Sequence, residues 1–156
     1  MDNYFLKIDG IAGESHDAKH KDEIDVVSYG WGLTHAPTAP AGGGGAPRAK
    51  FQDFHFTMNV NRASPPLFLA CANGRHIKTA TLSVRKSGGT QVEYLKIKLT
   101  DVLVSSFEEG GAGPGTEETV GLNFARIELD YTPQSATGAP GAVVEAGWDM
   151  KTNTPF

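Results

Sequence analysis

Apolar residues in this chain recur at every second position, and at several places the alternation changes phase. From Val120 to Tyr131 the apolar set runs Val120, Leu122 and Phe124 and then Ile127, Leu129 and Tyr131, with the change near Ala125. The same change occurs at Val26-Val27 and between Tyr94 and Leu95. A period of two puts successive side chains on opposite faces, so a single apolar face marks a half-buried strand. A phase change moves the apolar set to the other face, which bends or bulges that turn a strand across a barrel corner produce. The expected fold is mainly β: a β-barrel of two packed antiparallel sheets.

Other strands follow from the same pattern. Tyr4 to Ile8 ends at the turn signal Asp9-Gly10, and Phe51 to Val60 has Phe54, Phe56 and Met58 in phase. Thr79 to Arg85 carries Ala80, Leu82 and Val84 on one face, and Ser87-Gly88-Gly89 supplies hairpin chemistry before Val92 to Leu99. Val102 to Phe107 and Val143 to Met150 are two more strands. Ile24 to Leu33 places Val27, Tyr29, Trp31 and Leu33 on one face and Ser28, Gly30 and Gly32 on the other. One short α-helix flanks the sheets, with Ser64 as N-cap, Pro65 at the first helical position and Gly74 closing the far end. Leu67, Phe68 and Cys71 form its face toward the sheet.

Two long loops are expected. Residues 34–50 hold three prolines and the run Gly42, Gly43, Gly44, Gly45, and residues 108–118 are glycine-rich and acidic. Gly13 to Asp25, GESHDAKHKDEID, lacks an apolar stripe and reads as a solvated loop. With 156 residues the chain has the length for one domain, residues 1–156.

The net charge of -4 is small, and the Lys and Arg residues are scattered among acids. No basic stripe exists to neutralise phosphates, so nucleic acid is not an expected partner. The start, Met1 to Lys7, has no basic region before a long apolar run, so no signal peptide and no membrane insertion are expected. A single cysteine, Cys71, fits synthesis in a reducing cytoplasm.

Candidate chemistry thins out when weighed residue by residue. His16 and His20 lie four apart with Asp17, Asp22 and Glu23 nearby, but that spacing suits a metal on a helix and this stretch has no helical pattern. Ser15-His16-Asp17 has the letters of a triad, yet adjacent residues rarely converge on one substrate atom, and no G-x-S-x-G elbow is present. Cys71 sits on the apolar helix face, where a thiol packs rather than reacts. Trp31 and Trp148 are in phase with strand apolars and belong to the core. Neither glycine run matches a phosphate-binding loop. The expectation is therefore no enzyme, no catalytic residue, no metal and no cofactor.

Several segments, taken in order, resemble the haemolysin-coregulated proteins, which form the tube of the bacterial type VI secretion apparatus. They are Phe5-Leu6-Lys7-Ile8, Gly13-Glu14-Ser15 with His20 and Glu23-Ile24-Asp25-Val26, and Trp31-Gly32 before the Gly-rich loop. Gln52-Asp53-Phe54, Ser64-Pro65, Leu67 through Ala70-Cys71 to Gly74, and Arg85-Lys86-Ser87-Gly88-Gly89 with Glu93-Tyr94-Leu95 follow. Val102-Leu103-Val104-Ser105-Ser106 and Leu122-Asn123-Phe124-Ala125 complete a likeness that covers nearly the whole chain.

The resemblance implies a homohexameric ring, rings stacked into a tube beneath a spike and inside a contractile sheath, effector proteins carried in the lumen, and secretion of the protein itself. It implies that residues 34–50 help rings meet. It also implies that Gly30 occupies a lumen-facing position where relatives can carry a serine, so that the hydroxyl is missing here. The Ser28, Gly30 and Gly32 face has two readings: a smooth lumen wall, or a surface closely covered by another strand or the helix. Two other functions compete, a tail-tube protein of a contractile phage-like particle and a small metal-dependent effector built on His16, His20 and Asp22.

Overall fold

The computed structural model describes residues 2–37, 48–87 and 92–156. Among them are twelve strands and one helix: β1 (Asn3–Ile8), β2 (Ile24–Val26), β3 (Ser28–Gly30), β4 (Leu33–His35), β5 (Ala49–Phe51), β6 (Phe54–Asn59), α1 (Ser64–Asn73), β7 (His76–Arg85), β8 (Glu93–Ala112), β9 (Gly115–Asn123), β10 (Arg126–Tyr131), β11 (Val144–Asp149) and β12 (Thr154–Pro155).

All pairings are antiparallel. One layer runs β12-β11-β10-β8-β7-β1-β2, and β3-β6-β9 continues from the far half of β8. The long strand β8 thus serves both layers: its first half pairs with β7 and β10, its second half with β9. Between the layers lie Leu6, Ile24, Leu82, Ile97 and Leu99 from the first and Phe54, Phe56, Met58, Val120 and Leu122 from the second, all essentially without solvent contact. Full burial of one such side chain stabilises the fold by about 1.5–3 kcal/mol. The molecule is mainly β, two antiparallel layers with one short helix. Among the described residues the ladder of hydrogen bonds is not closed into a complete ring.

Each phase change in the sequence corresponds to a break in the ladder. Val27 separates β2 from β3, and Phe124 and Ala125 separate β9 from β10. Val84 pairs with Leu95 but Arg85 with Glu93, so Tyr94 is the extra residue of a bulge. A second bulge at Ser105, between the Val104–Leu122 and Ser106–Gly121 pairs, lies where β8 is passing into the other layer.

Several expectations need correction. Ile24 to Leu33 is three short strands, and the breaks leave Val27 and Leu33 about half exposed. Residues 108–118 are no loop: β8 runs on to Ala112 and β9 starts at Gly115, giving a two-stranded arm that turns at Gly113 and Pro114. Gly113 takes a left-handed φ of 60° there. Val102 to Phe107 is a stretch of β8 and not a strand of its own.

The helix starts differently as well. Ala63 holds the cap position without a side-chain hydrogen bond, and Asn61 Oδ1 accepts the Ala63 N–H at 2.8 Å. Ser64 Oγ accepts the Asn61 N–H at 3.0 Å and donates to Glu118 Oε1 at 2.5 Å, so its hydroxyl ties α1 to β9 instead of capping. Gly74 ends the helix in the left-handed region, as expected. The buried face is Ser64, Leu67 and Ala70; Cys71 is half-buried, while Phe68 is exposed beside the Phe107 ring.

The charged Gly13 to Asp25 stretch is only partly solvated. It folds over the outer face of β1, with Gly13 N–H donating to Asp22 O at 2.7 Å and Asp22 N–H to Ser15 O at 2.9 Å. Phe5, which points away from the core, packs against the His20 ring, stacked at 4.4 Å, and the Arg85 guanidinium, 5.0 Å from the ring centre. Arg85 grips both Asp17 oxygens, at 3.0 and 2.5 Å, and holds that carboxyl down to about 2. His20 is buried, with Nδ1 on Glu23 at 3.0 Å and Nε2 on Glu93.

Candidate functional site

The apolar alternation of β6 and β9 buries one side of the β3-β6-β9-β8 layer, which leaves the other side to Ser28, His55, Thr57, Thr119 and Glu108. The register makes rows across it: Gly30, His55, Gly121 and Ser106 in one, Ser28, Thr57, Thr119 and Glu108 in the next. Ser28 Oγ and Thr57 Oγ1 are 2.6 Å apart in a hydrogen bond. Asp53 pins the end of this face, accepting from Ser105 Oγ at 2.6 Å and from Asn123 Nδ2 at 3.0 Å.

The two glycines beside His55 differ in kind. A Cβ at Gly121 would stand 2.4 Å from Ser106 Oγ and 3.0 Å from Ser105 Oγ, so glycine is what lets the serines of the bulge pack there. A Cβ at Gly30 would meet nothing within 4 Å. Among the described residues, no other element closely covers Gly30. Gly32 lies beyond the end of β3, where a Cβ would approach the Gln52 amide at 3.4 Å, so it is not part of the β3 face that carries Ser28 and Gly30. Gly42, Gly43, Gly44 and Gly45 fall outside the described residues.

Residues His55, Thr57, Thr119, Ser106 and Glu108 escaped the sequence reading. The signal was available for β6, because Phe54, Phe56 and Met58 in phase send His55 and Thr57 to the opposite face.

The chemistry weighed in the sequence is not assembled by the fold. His20 has both ring nitrogens occupied by carboxylates, whereas His16 is exposed. Ser15 Oγ accepts the Asp17 N–H at 3.2 Å, and Asp17 is committed to Arg85. Elsewhere, on the outer face of β10 and β11, Glu128, Asp130 and Glu145 bring carboxylate oxygens within 4.8 Å of one another. Burial and then Asp130 push the Glu128 carboxyl above its ordinary value. This trio is half-buried to exposed and contains no histidine or cysteine.

A second surface feature is an apolar groove of about 450 Å³ between the β4-β5 ribbon and β10-β11. Trp31, Phe51, Ile127 and Trp148 line it, so the two tryptophans are partly buried at its walls and also pack on the core.

Residues 5–131 match the family described as Type VI secretion system effector, Hcp. Protein hcp1 of Pseudomonas aeruginosa is 44% identical over 154 residues, which is 96% of this chain and 95% of that protein. The crystal structure of Hcp1 from Salmonella typhimurium superposes with a TM-score of 0.83 at 36% identity, covering 100% of both chains. A type VI secretion system effector from Yersinia pestis gives a TM-score of 0.77 at 34% identity over 94% of this chain and 98% of its own. A two-layer β fold with one flanking helix, shared over whole chains, defines the class as a type VI secretion tube protein. The chain belongs to the Hcp family.

Proposed function

We propose that six copies of this chain close into a ring, that rings stack into the type VI secretion tube, and that the open face of β3-β6-β9-β8 lines its bore. The role is structural. Effector proteins ride against this face, the assembly is driven out within a contractile sheath and beneath a spike, and the chain is exported with it from the cytoplasm. Membership of the Hcp family supports the machine, and the observation that carries the assignment of the face is Gly30, where a Cβ would meet nothing within 4 Å among the described residues, beside the Ser28–Thr57 row. Such a wall offers little to grip, so cargo contacts are made by Ser28, His55 and Thr57 rather than by a deep pocket. At the two ends of the 34–50 stretch, β4 and β5 pair as a two-stranded ribbon separate from the main sheet, which suits the stretch to reach a neighbouring ring.

Gly30→Trp tests the bore assignment, since a Cβ at Gly30 meets nothing within 4 Å among the described residues. Rings should still form, and the effectors encoded in the same secretion locus should no longer co-purify with them. Intact rings that retain effectors as well as the parent protein does would place the cargo surface elsewhere.

A further inference from the structure

The arm formed by β8 and β9 joins the rest of the molecule at Glu118, a residue with no obvious reason to be charged where it lies. Its side chain is 0% exposed. It pairs across the ladder with Met58 of β6 on one side and Glu109 of β8 on the other. One oxygen, Oε1, accepts the Ser64 hydroxyl of α1 at 2.5 Å, and the other, Oε2, is buried with no hydrogen-bond partner. A buried anion with an orphan oxygen is costly, and a like charge directly opposite it on the next strand adds repulsion.

No cation from the packed elements relieves this. The sequence of α1, SPPLFLACAN, contains no charged residue, and β6 presents Met58. Glu109 is the titratable group that faces Glu118 from β8. Glu117 and Thr119, its neighbours on β9, project to the opposite face. Arg62, just before the helix, is exposed, and its backbone N–H is donated to Glu14.

We propose that Glu109 and Glu118 hold one proton between them, and that this proton seats the β8-β9 arm against the N-terminal turn of α1, making the arm's position sensitive to pH. The proton gives Oε2 the partner it lacks and removes one of two facing charges, while Ser64 completes the other oxygen. A carboxyl that faces a second carboxyl holds its proton more tightly than an isolated one. Burial, then Glu109, raise the Glu118 carboxyl above the ordinary glutamate value, against the opposing effect of Ser64.

The sign follows from linkage. With the folded value raised, the folded chain binds more protons than the unfolded one between the two values. Stability is therefore highest in acid with respect to this pair, falls as pH rises from the ordinary value through the folded one, and levels off above it. The loss should be local, because the arm is largely exposed beyond Glu118 and opens before the core does.

Two measurements test this on the full chain. Carboxyl-carbon NMR of the wild-type protein should show Glu118 titrating above the ordinary glutamate range, and Glu109→Gln should bring that titration down. Amide hydrogen-exchange protection in residues 64–70 and 107–120 should be lost as wild-type pH rises through the transition. It should stay level in Glu118→Gln, whose amide accepts from Ser64 and donates to Glu109. Ordinary titration of Glu118, indifference of that titration to Glu109→Gln, or equal loss of protection in wild type and Glu118→Gln would overturn the proposal. The wild-type titration of Glu118 needs no variant and so stands even if a substitution fails to fold.

Discussion

Phe5 shows how single residues fix the least regular part of the molecule. Its ring lies on the outer face of β1, where water would normally be, and is covered by His20 and Arg85 while Asp17 holds Arg85 in place. The neighbouring Gly13 is required by a close approach: a Cβ there would stand 2.5 Å from the Glu23 carbonyl oxygen. Because Arg85 lowers the Asp17 carboxyl from 3.8 to about 2, its contribution is complete above the unfolded value and disappears as pH falls through the folded one. Asp17→Asn should therefore be less stable than wild type at neutral pH, and the difference should shrink between about pH 4 and pH 2 in urea titrations repeated across that range. A constant difference would mean that the pair does not anchor the loop. None of this was legible in the sequence, where the charges of residues 13–25 suggested solvent. The partners Phe5, Arg85 and Glu93 lie far along the chain, and local polarity carries no information about a distant ring or guanidinium.

Secondary-structure elements were easier to read where their signals are local. The alternations and their phase changes at Val26-Val27, Tyr94-Leu95 and Ala125 located the breaks, because a side chain on the wrong face cannot be buried without one. The helix end was legible for a similar reason. Gly74 adopts φ 69° and a Cβ there meets nothing within 4 Å, so Gly74→Ala tests conformation alone. That variant should lose about 1–2 kcal/mol in chemical denaturation, whereas no loss would mean the chain relaxes out of the left-handed cap. The start of the helix misled, since Ser64 before proline is also a good N-cap; the distant Glu118 takes its hydroxyl instead. Residues 108–118 misled in the same way. Glycines and acids are typical of loops, but here the backbone groups of both strands satisfy each other along the ladder and no apolar pattern is needed.

For the whole molecule, an open face is the property that matters. The bare side of β3 was visible in Ser28 and Gly30, but its extension through His55, Thr57, Thr119 and Ser106 depends on long-range register that only the fold supplies. The ordered family resemblance supplied the machine, and the fold supplied a surface on which its bore can be built. The account stands or falls on how copies meet. Electron cryomicroscopy of the purified protein measures this directly: the prediction is a closed ring of six subunits with Ser28 and Gly30 facing the central channel. Monomers at every concentration, or rings that turn this face outward, would contradict it.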